Sequence, residues 1–332
     1  MRCEIRPIEL KLKRDFVVAG GRSSVKRNYI VVLDESGLGE AAGSVHYGAT
    51  AAQIERDLTR AADEIGRLGP EAMPAYLNRA AGIICRPALC ALSIAYHDFR
   101  ARRVNRPLAA RFDLPAPPIR KTSVTVSVGD IGAIQKWIRQ GFDTIKVKMD
   151  ADPGLASMMG DTMRRFPDIS FCVDANGSWA FADAVRIMAL LPVEQVQLLE
   201  QPFPSDAVDD WVRLKAQTTV PLIMDESIET AADVDRAAGY VDGVNVKLQK
   251  SGRLETAVEA MTMARRLGLK VMLGCMIESS VGVAAAYQLS PLADWLDLDG
   301  RLLIEDDPFS GLVYQNGFLH VSGGSGHGVS LF

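Results

Sequence analysis

FCVDAN (171–176), QLLEQP (197–202), LIMDES (222–227) and VNVKLQ (244–249) are short apolar runs, each turning charged at or near its end. The charged residues are Asp174, Glu200, Asp225 and Lys247, separated by 26, 25 and 22 positions. A β/α unit needs about that many residues: a strand of ~5, a helix of ~11 and two short loops. An apolar run that ends in an acid is what a barrel strand looks like when its C-terminal end carries a site. One such acid is better explained as a cap on the next helix. Three in successive units, followed by a lysine in a fourth, point to a shared site.

The same alternation extends in both directions. Strands are expected at KTSVTVSV (121–128), TIKVKM (144–149), ISFCVDA (169–175), QVQLLEQ (195–201), PLIMDES (221–227), GVNVKLQ (243–249), KVMLGCMI (270–277) and WLDLD (295–299). Helical segments such as GAIQKWIRQGF and LETAVEAMTMARRLG fall between them. Regular alternation predicts a β/α barrel; an open doubly wound sheet also alternates, but no GxGxxG or GxxxxGK[ST] follows the first strand.

Residues 1–50 read instead as antiparallel strands, with DFVVAGGRSSVKR (15–27) as a loop rich in Gly, Ser and basic residues. From Thr50 to about Arg103 the pattern is helical, and strands followed by helices suggest a separate α+β domain. The proline-rich LPAPPIR (114–120) reads as the linker. The expected organisation is an N-terminal capping domain over 1–115, a barrel over 116–300, and a segment 301–332 that returns to the capping domain.

A net charge of −4 over 332 residues gives no reason to expect nucleic acid. The charged N-terminus lacks an apolar signal-peptide core, and no run approaches the ~18 apolar residues of a membrane span, so a cytoplasmic protein is expected. The five cysteines are scattered without CxxC spacing, and the four histidines form no HxH or HExxH pattern.

The second expected strand ends in Lys146-Val147-Lys148, which puts both lysines on one face. In a closed eight-stranded barrel the second and sixth strands are opposite, with the fourth midway. An acidic cluster is then flanked by a lysine from each side. Three carboxylates without His or Cys suit a hard cation such as Mg²⁺. A divalent ion on a substrate carboxylate stabilises the enediolate left by removal of an α-proton. A neighbouring ammonium and a dication both lower a lysine's pKa toward working pH, which makes it a usable base. Two lysines facing each other across a planar intermediate allow racemisation or epimerisation next to a carboxylate.

KVK (146–148), the Asp174–Glu200–Asp225 triad and VNVKLQKSG (244–252) resemble the muconate-lactonizing-enzyme subgroup of the enolase superfamily. A Lys base working with Mg²⁺ is a known property of that superfamily. The resemblance covers nearly the whole chain. It implies a modified TIM-type (β/α)7β barrel with an α+β capping domain. It also implies that Asp174, Glu200 and Asp225 hold one Mg²⁺ per chain, that Lys148 and Lys247 are opposed bases, and that Lys146 lies beside the substrate carboxylate. No histidine lies on the sixth or seventh strand, unlike the mandelate-racemase subgroup.

Asp297-Leu298-Asp299 resembles the DxD of the dipeptide epimerases, which holds the free α-ammonium of a dipeptide. No basic residue opposite them is identifiable, so two unpaired carboxylates awaiting a cation are expected. Met276-Ile277-Glu278 also matches that family's pattern, which implies substrate contacts for Met276 and Ile277; Glu278 is assigned no role. In the enzymes acting on Ala-Glu, an arginine of a capping-domain loop meets the glutamate side chain, and Arg22 lies in a similar context, with Lys26 or Arg27 as alternatives. Hydrophobic and other dipeptides stay open.

The expected function is a Mg²⁺-dependent dipeptide epimerase inverting the α-carbon of the C-terminal residue, with L-Ala-D/L-Glu as one candidate substrate. An N-acylamino acid racemase or o-succinylbenzoate synthase of the same subgroup is the alternative. A binding protein without turnover has no use for paired bases. The expected partner is a small dipeptide, with neither nucleic acid nor membrane; a homo-oligomer is compatible with the sequence.

Overall fold

The structure, a computed structural model, describes residues 1–18, 21–44, 48–126 and 130–331, without the side chains of 15–18 and 21–23. The chain opens with two long antiparallel strands, β1 (Cys3–Val18) and β2 (Gly21–Leu33), followed by β3 (Gly37–Ala41) on the far side of β2. The stretch expected to be a loop is mostly strand. After a register shift between Lys11 and Phe16, pairing resumes at Phe16↔Ser23 and runs to Val18↔Gly21. Composition misleads there because strand pairing satisfies backbone groups, which every residue but proline supplies alike.

Helices α1 (Ala51–Ile65), α2 (Met73–Ala80) and α3 (Arg86–Arg103) pack on this sheet. Leu58, Ile54 and Ile65 line the buried stripe of α1, whose first turn is capped by Thr50 accepting from Gln53 N at 3.2 Å. Helix α3 is buried almost all round because it lies between the sheet and the barrel. Strand β3 touches it directly: a Cβ on Gly39 would sit 2.0 Å from the Ala91 carbonyl oxygen.

Beyond the linker, β4 (Arg120–Lys121) leads into an eight-stranded parallel sheet in strict sequence order. Its strands are β5 (Val124–Val126), β6 (Thr144–Lys148), β7 (Ser170–Asp174), β8 (Val196–Glu200), β9 (Leu222–Met224), β10 (Gly243–Lys247), β11 (Lys270–Gly274) and β12 (Trp295–Asp297). A backbone hydrogen bond from Ser123 N to Leu296 O (3.0 Å) joins the first strand region to the last and closes the barrel. The expected first strand is shorter than its alternation suggested: Arg120–Lys121 pair elsewhere, and residues 127–129 lie outside the described residues.

Helices α4 (Ile131–Arg139), α5 (Pro153–Arg164), α6 (Phe181–Leu190), α7 (Val208–Lys215) and α8 (Ala231–Ala237) follow β5 to β9. A short turn α9 (Leu248–Ser251) and then α10 (Leu254–Arg266) follow β10, and α11 (Ser280–Tyr287) follows β11. Val173, Leu199 and Val246 pack outward against these helices. Cys172, Leu198, Ile223 and Met272 form a separate inner cluster. The first three stand two positions before Asp174, Glu200 and Asp225, so the period of a strand carries each acid onto the inner face, one layer above.

The last residues touch both parts. Strands β13 (Phe309–Ser310) and β16 (Ser330–Leu331) pair, while β14 (Leu312–Gln315) and β15 (Phe318–Val321) form a hairpin that adds to β4. Phe309 and Val329 join Ile30, Val32 and Leu38 of the N-terminal sheet with Val281 and Ala284 of α11 in one cluster. Among the described residues, no helix is long and apolar enough to cross a membrane.

Candidate active site

Parallel register brings the charged strand ends level: Lys148 pairs with Asp174 across β6–β7, and Asp174 with Glu200 across β7–β8. Asp225 follows β9 directly, and Lys247 ends β10. Next to Lys247, β11 ends in Gly274, where a Cβ would come within 3.0 Å of the lysine's Cε. The bare backbone of Gly274 makes room for that side chain.

The three acids are at most 1% exposed. Each meets ammonium groups. Lys146 Nζ lies 3.0 Å from Asp174 Oδ2, 2.6 Å from Glu200 Oε2 and 2.8 Å from Asp297 Oδ2. Lys148 donates to Asp174 Oδ2 (2.6 Å) and Asn176 Oδ1 (2.9 Å). Lys247 donates to Asp225 Oδ2 (2.7 Å), and Lys250 approaches Asp225 Oδ1 at 2.5 Å. Lys148 and Lys247 thus come from strands four apart in the barrel and meet different acids of one cluster.

Charge is unevenly balanced in the cluster. Burial works to raise the Asp174 and Asp225 carboxyls, but their lysines hold both below the usual carboxylate range. Burial also works against the Lys146 ammonium, yet Asp174, Asp297, Glu200 and Asp225 hold its pKa well above the ordinary lysine value. Glu200 is pushed up to about 7, by burial first and then by Asp174. Its Oε1 accepts from Asn245 Nδ2 at 2.9 Å, whereas buried Oε2 faces Lys146 without hydrogen-bond geometry.

An oxygen-only donor set with a buried, under-compensated carboxylate suits a hard cation. As the side chains stand, they are turned to the lysines, and among the described residues no three acids, histidines or cysteines are grouped to hold a metal ion.

The expectation for the last strand needs correction. Asp297 is not unpaired: Ser123 Oγ donates to its Oδ1 (2.6 Å) and Lys146 to its Oδ2 (2.8 Å). Barrel closure sets β12 beside β5 and only two strands from β6, within a lysine's reach. The strand ends at Asp297, and Asp299 lies beyond it, accepting from Thr125 N at 2.5 Å. Burial and the neighbouring Asp297 push Asp299 up to about 6.

Ile277 packs with Leu10, Leu12 and Ile304, so its apolar surface is taken by β1 and the C-terminal segment. Met276 is half-buried. Glu278 accepts from Met276 N (2.7 Å) and Gln249 Nε2 (2.9 Å), and burial followed by Glu40 pushes it up to about 7. The side chain of Arg22 lies outside the described residues. Arg27 is turned to α1, 3.6 Å from Glu55 and over the Tyr29 ring, while Lys26 is half-buried.

A family model described as enolase C-terminal domain-like matches residues 131–332. The chain belongs to this family. Within the family it is 33% identical to the L-Ala-D/L-amino acid epimerase of Pedosphaera parvula, over 96% of this chain and 95% of that one. It is 30% identical to the hydrophobic dipeptide epimerase of Roseobacter litoralis, over 100% and 99% of the two chains. A dipeptide epimerase from Enterococcus faecalis, solved with Mg and the dipeptide L-Leu-L-Tyr, superposes with a TM-score of 0.90 at 26% identity, over 99% of each chain.

Sequence reasoning missed several residues that shape this site. Gln201, in the left-handed region at φ 41°, follows Glu200, and its Oε1 accepts from Asp225 N (2.7 Å). Asn176 holds Lys148. Lys250 and Asn245 flank Lys247 in the chain. A polar residue just after each acidic strand end (DAN, EQP, DES) was the available signal.

Proposed function

We propose that this chain is a Mg²⁺-dependent dipeptide epimerase that inverts the α-carbon of the dipeptide's C-terminal residue. The observation that carries the reading is the placement of Lys148 and Lys247 on opposing strands, on either side of one buried acid cluster. Relatives named as epimerases along almost the whole chain support it.

Asp174, Glu200 and Asp225 would hold the Mg²⁺, their oxygens being of the kind a hard cation takes. A bound Mg²⁺ supplies positive charge that competes with the ammonium groups for these oxygens and stabilises negative charge gathering on the substrate carboxylate. Lys148 removes or returns the α-proton on one face, and Lys247 does so on the other. Lys146 places a fixed positive charge between the acid cluster and Asp297, beside the substrate carboxylate. Asp299, which no ion pair reaches among the described residues, offers the carboxylate for the dipeptide's ammonium, and Asp297 holds Lys146 in place. The N-terminal sheet and helices serve as a cap over the barrel.

The test is a dipeptide library incubated in D₂O and read by mass spectrometry for exchange of the α-proton. Exchange in free dipeptides but not in their N-acetyl forms supports the reading. Equal turnover of both sets would replace it with an N-acylamino acid racemase.

A further inference from the structure

Lys250 is a buried cation with no part in the proton transfers above. It is 1% exposed and sits on α9, the turn that follows β10 and ends at Gly252 with φ 74°. An ammonium has three N–H donors, and three oxygens surround this one: the Asp225 carbonyl, Asp225 Oδ1 at 2.5 Å and the Asn245 carbonyl at 3.1 Å. Lys247 meets the other oxygen of the same carboxylate, Oδ2. The two lysines differ in access, since the Lys247 side chain is 8% exposed and that of Lys250 0%. Asn245, whose carbonyl Lys250 holds, uses its amide to bind Glu200 Oε1 at 2.9 Å.

We propose that Lys250 is the positioning residue of the metal site: it pins Asp225 Oδ1 and the Asn245 backbone, and so aims two of the three acids at the cation. It carries no proton to substrate. This inference rests on the functional reading above and adds a residue to it. Removing a group that orients a metal ligand typically costs roughly 10–100-fold in metal affinity.

The experiment is Mn²⁺ binding by electron paramagnetic resonance, with α-proton exchange from each epimer measured in parallel. Lys250→Met is expected to weaken Mn²⁺ binding at least tenfold and to slow exchange from both epimers by the same factor. Unchanged Mn²⁺ affinity would overturn the inference while leaving the epimerase reading intact. A loss confined to one epimer would also overturn it, by making Lys250 a proton carrier. Wild-type protein that binds no Mn²⁺ would remove the metal site and this inference together.

Lys250→Met leaves the Asp225 carboxylate without one of its cations, so a variant that does not fold is a foreseeable outcome. The pair then goes together: Asp225→Asn with Lys250→Met, compared with Asp225→Asn alone, both checked by circular dichroism. In the Asp225→Asn background Lys250 keeps only its hold on the backbone carbonyls of position 225 and Asn245, so the second change is expected to lower Mn²⁺ affinity by less than tenfold further. A further loss of tenfold or more would show that it acts independently of the Asp225 carboxylate and overturn the inference.

Discussion

Lys148 and Lys247 have similar immediate surroundings, each donating to one buried aspartate, yet they stand on opposite sides of the cluster. Opposed bases predict opposed defects. Lys247→Ala should slow α-proton exchange from one epimer by roughly 10²–10⁴-fold and from the other far less, and Lys148→Ala should show the reverse preference. Equal mild losses from both epimers in both variants would contradict the assignment. Asp299 and Asp297 should also separate. Loss of one partner from a charged hydrogen-bonded pair costs on the order of 2–5 kcal/mol, so Asp299→Asn should lower kcat/KM for a free dipeptide tens-fold or more. Acetylation of the substrate should then add little further loss, which steady-state kinetics on both substrates would reveal. Asp297→Asn instead releases Lys146 and should impair turnover whether or not the substrate amine is capped.

Between elements, the packing of α3 against the barrel on one side and the N-terminal sheet on the other offers two measurements. His97 on α3 meets Glu255 at the start of α10 at 2.9 Å. Burial works to raise the Glu255 carboxyl, but the hydrogen bond and charge of His97, a backbone hydrogen bond and the Arg253 guanidinium together outweigh it and lower the group from 4.5 to about 2. A depressed carboxylate stabilises the fold above its unfolded pKa, and that contribution is lost as pH falls through the folded value. Thermal melts of wild type and Glu255→Gln should therefore differ most above pH ~4.5 and converge toward pH ~2; a gap that stays constant with pH would exclude this pair as its source. Gly39 supplies the second. With the Ala91 carbonyl oxygen 2.0 Å from where a Cβ would stand, Gly39→Ala must push β3 off α3. Overpacking of this kind costs about 1–3 kcal/mol, so the melting temperature should fall. An unchanged melting temperature would mean that β3 has room to shift.

For the molecule as a whole, binding of a cation to the folded state alone should raise stability by about 2.7 kcal/mol at a free concentration one hundred times its Kd. Chelation should therefore lower the melting temperature and stop exchange together, and Mg²⁺ should restore both. Turnover that survives exhaustive chelation would end the metal-dependent reading. Much of this architecture was legible in one dimension. The recurrence of an apolar run ending in a charge predicts parallel strands. Their period of two predicts that Asp174, Glu200 and Asp225 share the inner face, and parallel register makes neighbouring ends level. These are local properties of a strand and its nearest neighbour. The pairing of 16–18 with 21–23 was not legible, because it rests on backbone hydrogen bonds that Gly, Ser and basic residues make as readily as any others. Nor was the Lys146–Asp297 pair, whose partners are 151 residues apart and meet only because the barrel closes. Lys250 was hidden for a related reason: its spacing from Lys247 suggests another exposed charge, and only the turn ending at Gly252 folds it beneath Asp225. Composition and periodicity settle which residues reach a face. Which charge neutralises which depends on distances across the closed barrel, and those exist only once the chain has folded.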